Sequence, residues 1–203
     1  MAGIKNIAIF ASGRGSNFSA IAAAIKNKKV RANLALLVCD NPKAFVLKKA
    51  QKAKVKTVLV RRPDFSSKKD FEAEIIKHLK ENKIDLIVLA GYMRILSPEF
   101  VNKYRGRIIN IHPSLLPAFK GEHGIKDAFD YGVKVTGVTV HFVDEHMDNG
   151  AIIVQQALPI KEKETMATLE AKIHKIEHKL YPEAIKLFVE GKLKIKGRKV
   201  IRL

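Results

Sequence analysis

Four short, mostly apolar runs constrain the fold of this chain: Ile4 to Phe10, Ala32 to Val38, Lys56 to Val60 and Ile84 to Ala90. They are nearly continuous rather than alternating, which is the pattern of strands buried on both faces. Between them lie stretches of helical length, Phe18 to Ile25, Lys43 to Ala53 and Lys68 to Asn82, with a polar loop from Arg61 to Ser67. Parallel neighbours need a crossover of about a dozen residues, and these helices supply it. The spacing therefore predicts βαβ units on an open, mostly parallel, Rossmann-like α/β sheet with helices on both faces.

The second half continues the pattern with stronger punctuation. Ser97 is placed to cap a helix whose first position is Pro98, with Glu99 following. Ile108, Ile109 and Ile111 form a strand that stops at Pro113, because proline cannot donate to a ladder. A helix is expected over Glu122 to Tyr131, then strands over Val133 to Val143 and Ala151 to Leu158, separated by the turn signal Asn149-Gly150. Thr165 to Val189 reads as one long helix capped by Thr165 or Thr168, with Pro182 kinking or dividing it. Lys192 to Leu203 alternates around Gly197, as a small basic hairpin or edge strand does. The chain is expected to form a single domain, with an N-terminal half over 1–105, a second half over 106–189 and a basic tail over 190–203.

Composition narrows the setting. With 203 residues, 47% of them hydrophobic, the chain can bury a sizeable core. The single cysteine, Cys39, closes an apolar run and reads as a small buried residue in a reducing compartment. No run reaches the roughly 18 to 20 apolar residues of a membrane span, and a cytoplasmic location is expected. The formal net charge of +18 suits nucleic acid or an anionic surface as well as a small anionic substrate. The lysines are dispersed among glutamates, and no basic tract is interleaved with aromatics, so nucleic-acid binding is the competing reading rather than the favoured one.

Several segments carry chemistry. Asn110 and His112 stand two apart on a strand and point the same way, at the C-terminal end where open α/β sheets bind ligands. An amide donor beside an imidazole suits a reaction through an oxyanion; the bland reading is a polar strand end. The loop Ala11-Ser12-Gly13-Arg14-Gly15-Ser16-Asn17 opens onto a helix, where free N–H groups can hold a phosphate. It lacks the Gly-Lys-Ser/Thr of a Walker A loop and the third glycine of a dinucleotide fingerprint, so a monophosphate is the expected ligand, with capping by Ser16 and Asn17 as the alternative. Gly91 to Leu96 is more apolar than a solvent loop should be, so Met93, Ile95 and Leu96 are either core or a slot for a flat ring. Asp144, Glu145 and Asp148 place three carboxylates in five residues, as a solvated turn, a weak cation site or, for Asp148, a partner that favours the charged form of His112. His174 and Glu177 share a helix face, which by spacing alone is a surface pair. No metal-site spacing such as His-Glu-x-x-His occurs, and no metal is expected.

Four motifs in order, Ser-Gly-Arg-Gly-Ser-Asn, Ala-Gly-Tyr-Met-Arg-Ile-Leu-Ser-Pro, Asn-Ile-His-Pro-Ser-Leu-Leu-Pro and Val-His-Phe-Val-Asp-Glu-His-Met-Asp-Asn-Gly, make the chain resemble the phosphoribosylglycinamide formyltransferases over essentially its full length. That folate-dependent family of purine synthesis implies formyl transfer from 10-formyltetrahydrofolate, as co-substrate, to the amino group of glycinamide ribonucleotide. By this resemblance Asn110, His112 and Asp148 match the catalytic trio. Gly15, Ser16 and Asn17 match the loop that holds the ribonucleotide phosphate, and His174, Lys175, Ile176 and Glu177 a segment near the same substrate. Met93, Arg94, Ile95 and Leu96, with Asp144, Glu145, His146, Met147 and Asp148, match the two segments that enclose the pterin, and Asn110 also faces the folate. Lys68 stands where the family commonly has an arginine on the folate, which keeps the charge and loses the bidentate fork. Asn149 replaces a usual glycine. Methionyl-tRNA formyltransferase and formyltetrahydrofolate deformylase resemble the catalytic segment but normally carry an additional domain, which is not expected here. A monomer or homodimer is expected.

Overall fold

The computed structural model describes residues 3–203, which fall into two compact units divided between Leu96 and Ser97. The first unit runs β1 (Lys5–Phe10), α1 (Ser16–Lys26), β2 (Ala32–Cys39), α2 (Val46–Lys52), β3 (Thr57–Leu59), α3 (Lys68–Glu81) and β4 (Leu86–Leu89). Its strands lie in the order β3-β2-β1-β4, all parallel, as the crossover spacing predicts. Ile7, Ile9, Leu36, Leu37, Ile87 and Val88 are fully buried, and α1 lays Phe18 and Ile21 into the same core. α2 starts at Val46, later than Lys43, because the Asn41 side chain accepts from the Lys43 N–H at 2.9 Å and holds that stretch in a turn. The polar loop contains one 3-10 turn, Arg62–Asp64.

The second unit comprises α4 (Pro98–Lys103), β5 (Ile108–His112), α5 (Gly124–Tyr131), β6 (Val135–Phe142), β7 (Ile152–Pro159), α6 (Met166–Val189), β8 (Leu193–Lys196) and β9 (Lys199–Arg202). The division falls ahead of α4, whereas the sequence places the junction after residue 105; α4 belongs with the strand it feeds. Strand order here is β5-β6-β7-β9-β8. The α/β class stands, but this half departs from a parallel sheet: β5–β6, β6–β7 and β8–β9 are antiparallel, and only β9 meets β7 in parallel. The connection from β6 to β7 is too short for a crossover, so a hairpin is the sole solution. The tail is the expected hairpin, turning at Gly197 with φ +60°.

Capping follows the sequence where it is local. Ser97 accepts from the Phe100 N–H, and Thr165 and Thr168 form a reciprocal capping box. Pro182 neither divides nor ends α6, which runs unbroken for 24 residues. Burial of Leu180, Tyr181, Ala184 and Ile185 offsets the hydrogen bond that a proline forfeits. The Tyr181 hydroxyl donates to the Ile109 carbonyl at 3.1 Å, anchoring α6 to the strand that carries Asn110 and His112.

Candidate active site

The end of β5 meets one carboxylate. Asn110 and His112 do point the same way: Asn110 Nδ2 lies 3.4 Å from Asp148 Oδ1, and His112 Nδ1 lies 3.3 Å from Asp148 Oδ2. His112 and the Asp148 side chain are almost fully buried. The Gly121 N–H donates to Asp148 Oδ2 at 2.8 Å, and His141 Nε2 stands 3.7 Å from Oδ1. Burial acts to raise the Asp148 carboxyl, but His141, the Gly121 N–H and the charge of His112 outweigh it and hold the group below its ordinary value. Asp148 itself adopts a left-handed conformation, φ +48°, which a short polar side chain tolerates better than most.

The two rings are wired differently. His112 Nε2 lies 2.7 Å from the Phe119 carbonyl, which can only accept, so Nε2 carries a proton. A neutral ring would then turn a bare Nδ1 toward the Asp148 oxygen, whereas an imidazolium turns an N–H toward it. His141 Nδ1 donates to the Phe142 carbonyl at 2.7 Å, and its Nε2 stands between the Asn110 amide at 3.3 Å and Asp148 Oδ1 at 3.7 Å. His141, Phe119 and Gly121 were not singled out from the sequence. His141 is the register partner of Asn110 across the antiparallel β5–β6 pair, and no local signal reveals that pairing.

The three carboxylates after β6 diverge. Asp144 accepts from the His146 N–H and from Asn149 Nδ2, both at 2.9 Å, and so closes its own turn. Glu145 pairs with Arg105, and only Asp148 enters the buried cluster. His146 is exposed and Met147 leaves 53% of its surface to solvent. In the first unit Met93 and Ile95 are also exposed, at 61% and 68%, while Leu96 is buried. The core reading therefore holds for Leu96 alone. Exposed apolar side chains on short loops suit a flat ring that would cover them. Lys68 is exposed at the first turn of α3, which Ser67 caps by accepting from the Asp70 N–H at 3.0 Å.

In the loop from Ala11 to Asn17 the cap is Gly15, not Ser16 or Asn17, which already lie in the first turn of α1. Gly15 has φ +68°, and a Cβ there would come within 2.5 Å of the Val46 side chain, so the loop is tied to α2 at a position only glycine fills without strain. The first turn of α1 holds no acidic residue, and Lys49, also unread from the sequence, reaches the Gly15 carbonyl with Nζ at 3.1 Å. On α6, Ile176 faces the core and Lys175 is exposed. Glu177 is buried, and His174 Nδ1 lies 2.9 Å from its Oε2, so the pair is more than a surface contact.

The hydrogen bond to Glu177, opposed by partial burial and aided by the charges of Glu177 and Glu170, raises His174 above its ordinary value. A raised histidine contributes stability that is complete below its unfolded value near 6.5 and is lost as pH rises through the folded value. In an NMR titration His174 is expected to titrate above that ordinary value, and Glu177→Gln to bring it back down; an unshifted midpoint in the variant would show that Glu177 is not the cause.

The sequence profile of the family described as Formyl transferase matches residues 5–185. This chain belongs to the formyl transferase family. Among its relatives, the phosphoribosylglycinamide formyltransferase of Bacillus subtilis (strain 168) is 48% identical over 183 residues, 90% of this chain and 94% of that protein. The phosphoribosylglycinamide formyltransferase of Haemophilus influenzae is 37% identical, covering 95% of this chain and 91% of that one. The crystal structure of glycinamide ribonucleotide transformylase 1 from Symbiobacterium toebii superposes with a TM-score of 0.96 at 39% identity, over 98% of this formyl transferase and 94% of that chain.

Proposed function

We propose that this formyl transferase moves a formyl group from 10-formyltetrahydrofolate to the amino group of phosphoribosylglycinamide, with Asn110, His112 and Asp148 as its catalytic residues. The observation that carries the reading is the shared carboxylate: Asp148 engages both the amide of Asn110 and the ring of His112. The attacking amine forms a bond to the formyl carbon, whose oxygen gains negative charge. Asn110 Nδ2–H and His112 Nε2–H are the donors for that oxygen, and Asp148 holds the imidazolium. The Nε2–H now given to the Phe119 carbonyl is the one an oxyanion would accept, so Phe119 must yield its place. The bond from carbon to N10 of the folate then breaks, and the proton lost by the amine ends on N10.

Gly15, Ser16 and Asn17 are assigned to the ribonucleotide phosphate and His174 to Glu177 to the rest of that substrate. Met93 to Leu96, Lys68, and Asp144 to Met147 are assigned to the folate. Among the described residues no helix is long and apolar enough to cross a membrane, and we assign the protein to the cytoplasm.

The deciding experiment follows folate absorbance with 10-formyltetrahydrofolate, with and without glycinamide ribonucleotide. Turnover that needs the ribonucleotide is expected. Folate release without it would replace this reading by a deformylase. No turnover, with salt-dependent RNA binding, would replace it by a nucleic-acid function.

A further inference from the structure

Three strand ends of the first unit converge on one acidic side chain, Asp40, which follows β2 and is only 9% exposed. Its Oδ1 accepts from the Ser12 hydroxyl, after β1, at 2.5 Å. Its Oδ2 accepts from Arg94 Nε, after β4, at 2.5 Å. The Ser12 oxygen in turn accepts from the Met93 N–H at 3.1 Å, while the Ser12 N–H donates to the Gly91 carbonyl at 2.9 Å. The Arg94 guanidinium lies over the Phe71 ring, 5.7 Å from its centroid. Ser12, Asp40, Met93 and Arg94, with Asn41 and Arg61, line a cavity of about 450 Å³.

A buried carboxylate is costly without charged or hydrogen-bonding partners, so Asp40 and its two donors hold each other in one arrangement. The segment after β4 needs that support. Met93 and Ile95 are exposed, so packing contributes little to their placement and backbone and side-chain hydrogen bonds must set it. Asp40 reaches the segment twice, directly through Arg94 and indirectly through Ser12 to the Met93 N–H.

We infer that Asp40 is a positioning residue for the folate co-substrate: through Arg94 and Ser12 it presets the 93–96 segment in the form that receives it. The inference rests on the assignment of that segment to the folate made above. A preset loop lowers the ordering cost of binding, so the effect should fall on affinity for the folate and not on the chemical step.

Asp40→Asn tests this. The amide has a single oxygen: either it accepts from Ser12 and the NH2 opposes Arg94, or a neutral oxygen faces Arg94 and the Ser12 hydroxyl loses its acceptor. The KM for 10-formyltetrahydrofolate is expected to rise about tenfold, with kcat within about twofold and the KM for the ribonucleotide unchanged. Ser12→Ala, which removes the acceptor for the Met93 N–H, is expected to shift the same constant in the same direction, and it decides the matter if Asp40→Asn does not fold. An unchanged folate KM in an enzyme whose parent transfers formyl would overturn the role of Asp40 and leave the functional reading intact. Equal losses for both substrates, or a collapse of kcat, would also overturn it. A parent without ribonucleotide-dependent turnover would remove both.

Discussion

His112→Ala is expected to fold and to lose about 100- to 1,000-fold in the rate of formyl transfer, the usual cost of removing one donor to an oxyanion. Asn110→Ala is expected to cost a similar factor. The effect should be large because neither donor is redundant: Asn110 and His112 approach Asp148 from the same strand face, and the cluster is buried enough that water is a poor substitute. His141 is the nearest alternative ring, but its Nδ1 is engaged by the Phe142 carbonyl and its Nε2 faces Asn110. Steady-state kinetics with both substrates saturating, alongside a thermal melt, separates lost chemistry from lost fold. Near-normal turnover in either variant would sink the catalytic assignment.

Gly150→Ala should cost about 3 kcal/mol of stability, at the upper end of what overpacking typically does. A Cβ at this position would lie 1.8 Å from the Phe142 carbonyl oxygen and 2.7 Å from its carbon, both backbone atoms that no rotamer change can move aside. The residue is buried where β6 passes into β7, and the Phe142 N–H bonds the Ala151 carbonyl at 2.9 Å, so relief requires opening the hairpin. Asp148 sits two residues earlier, and any such opening also displaces the carboxylate. Urea unfolding should show a lower midpoint, and the folded fraction should have reduced turnover. An unchanged midpoint would mean that the turn can rearrange without cost.

The sequence by itself determined what depends on near neighbours. Continuous apolar runs separated by helical lengths specify the parallel strands β1 to β4, and a period of two places Asn110 and His112 on one face. The caps at Ser97 and Thr165 and the tail hairpin are local in the same sense. The resemblance of four ordered motifs supplied the family and the proposed catalytic trio, which no periodicity could have done. Tertiary structure decided the rest. It replaced Ser16 and Asn17 by Gly15 as the cap of α1, carried α6 through Pro182, and left Met93 and Ile95 exposed. It also set His141 opposite Asn110 and gathered Ser12, Asp40 and Arg94 from three separate strand ends. These outcomes depend on register and burial across long separations in the chain. Each is settled by satisfying buried polar groups over a whole unit, and a window of a few residues does not contain those partners.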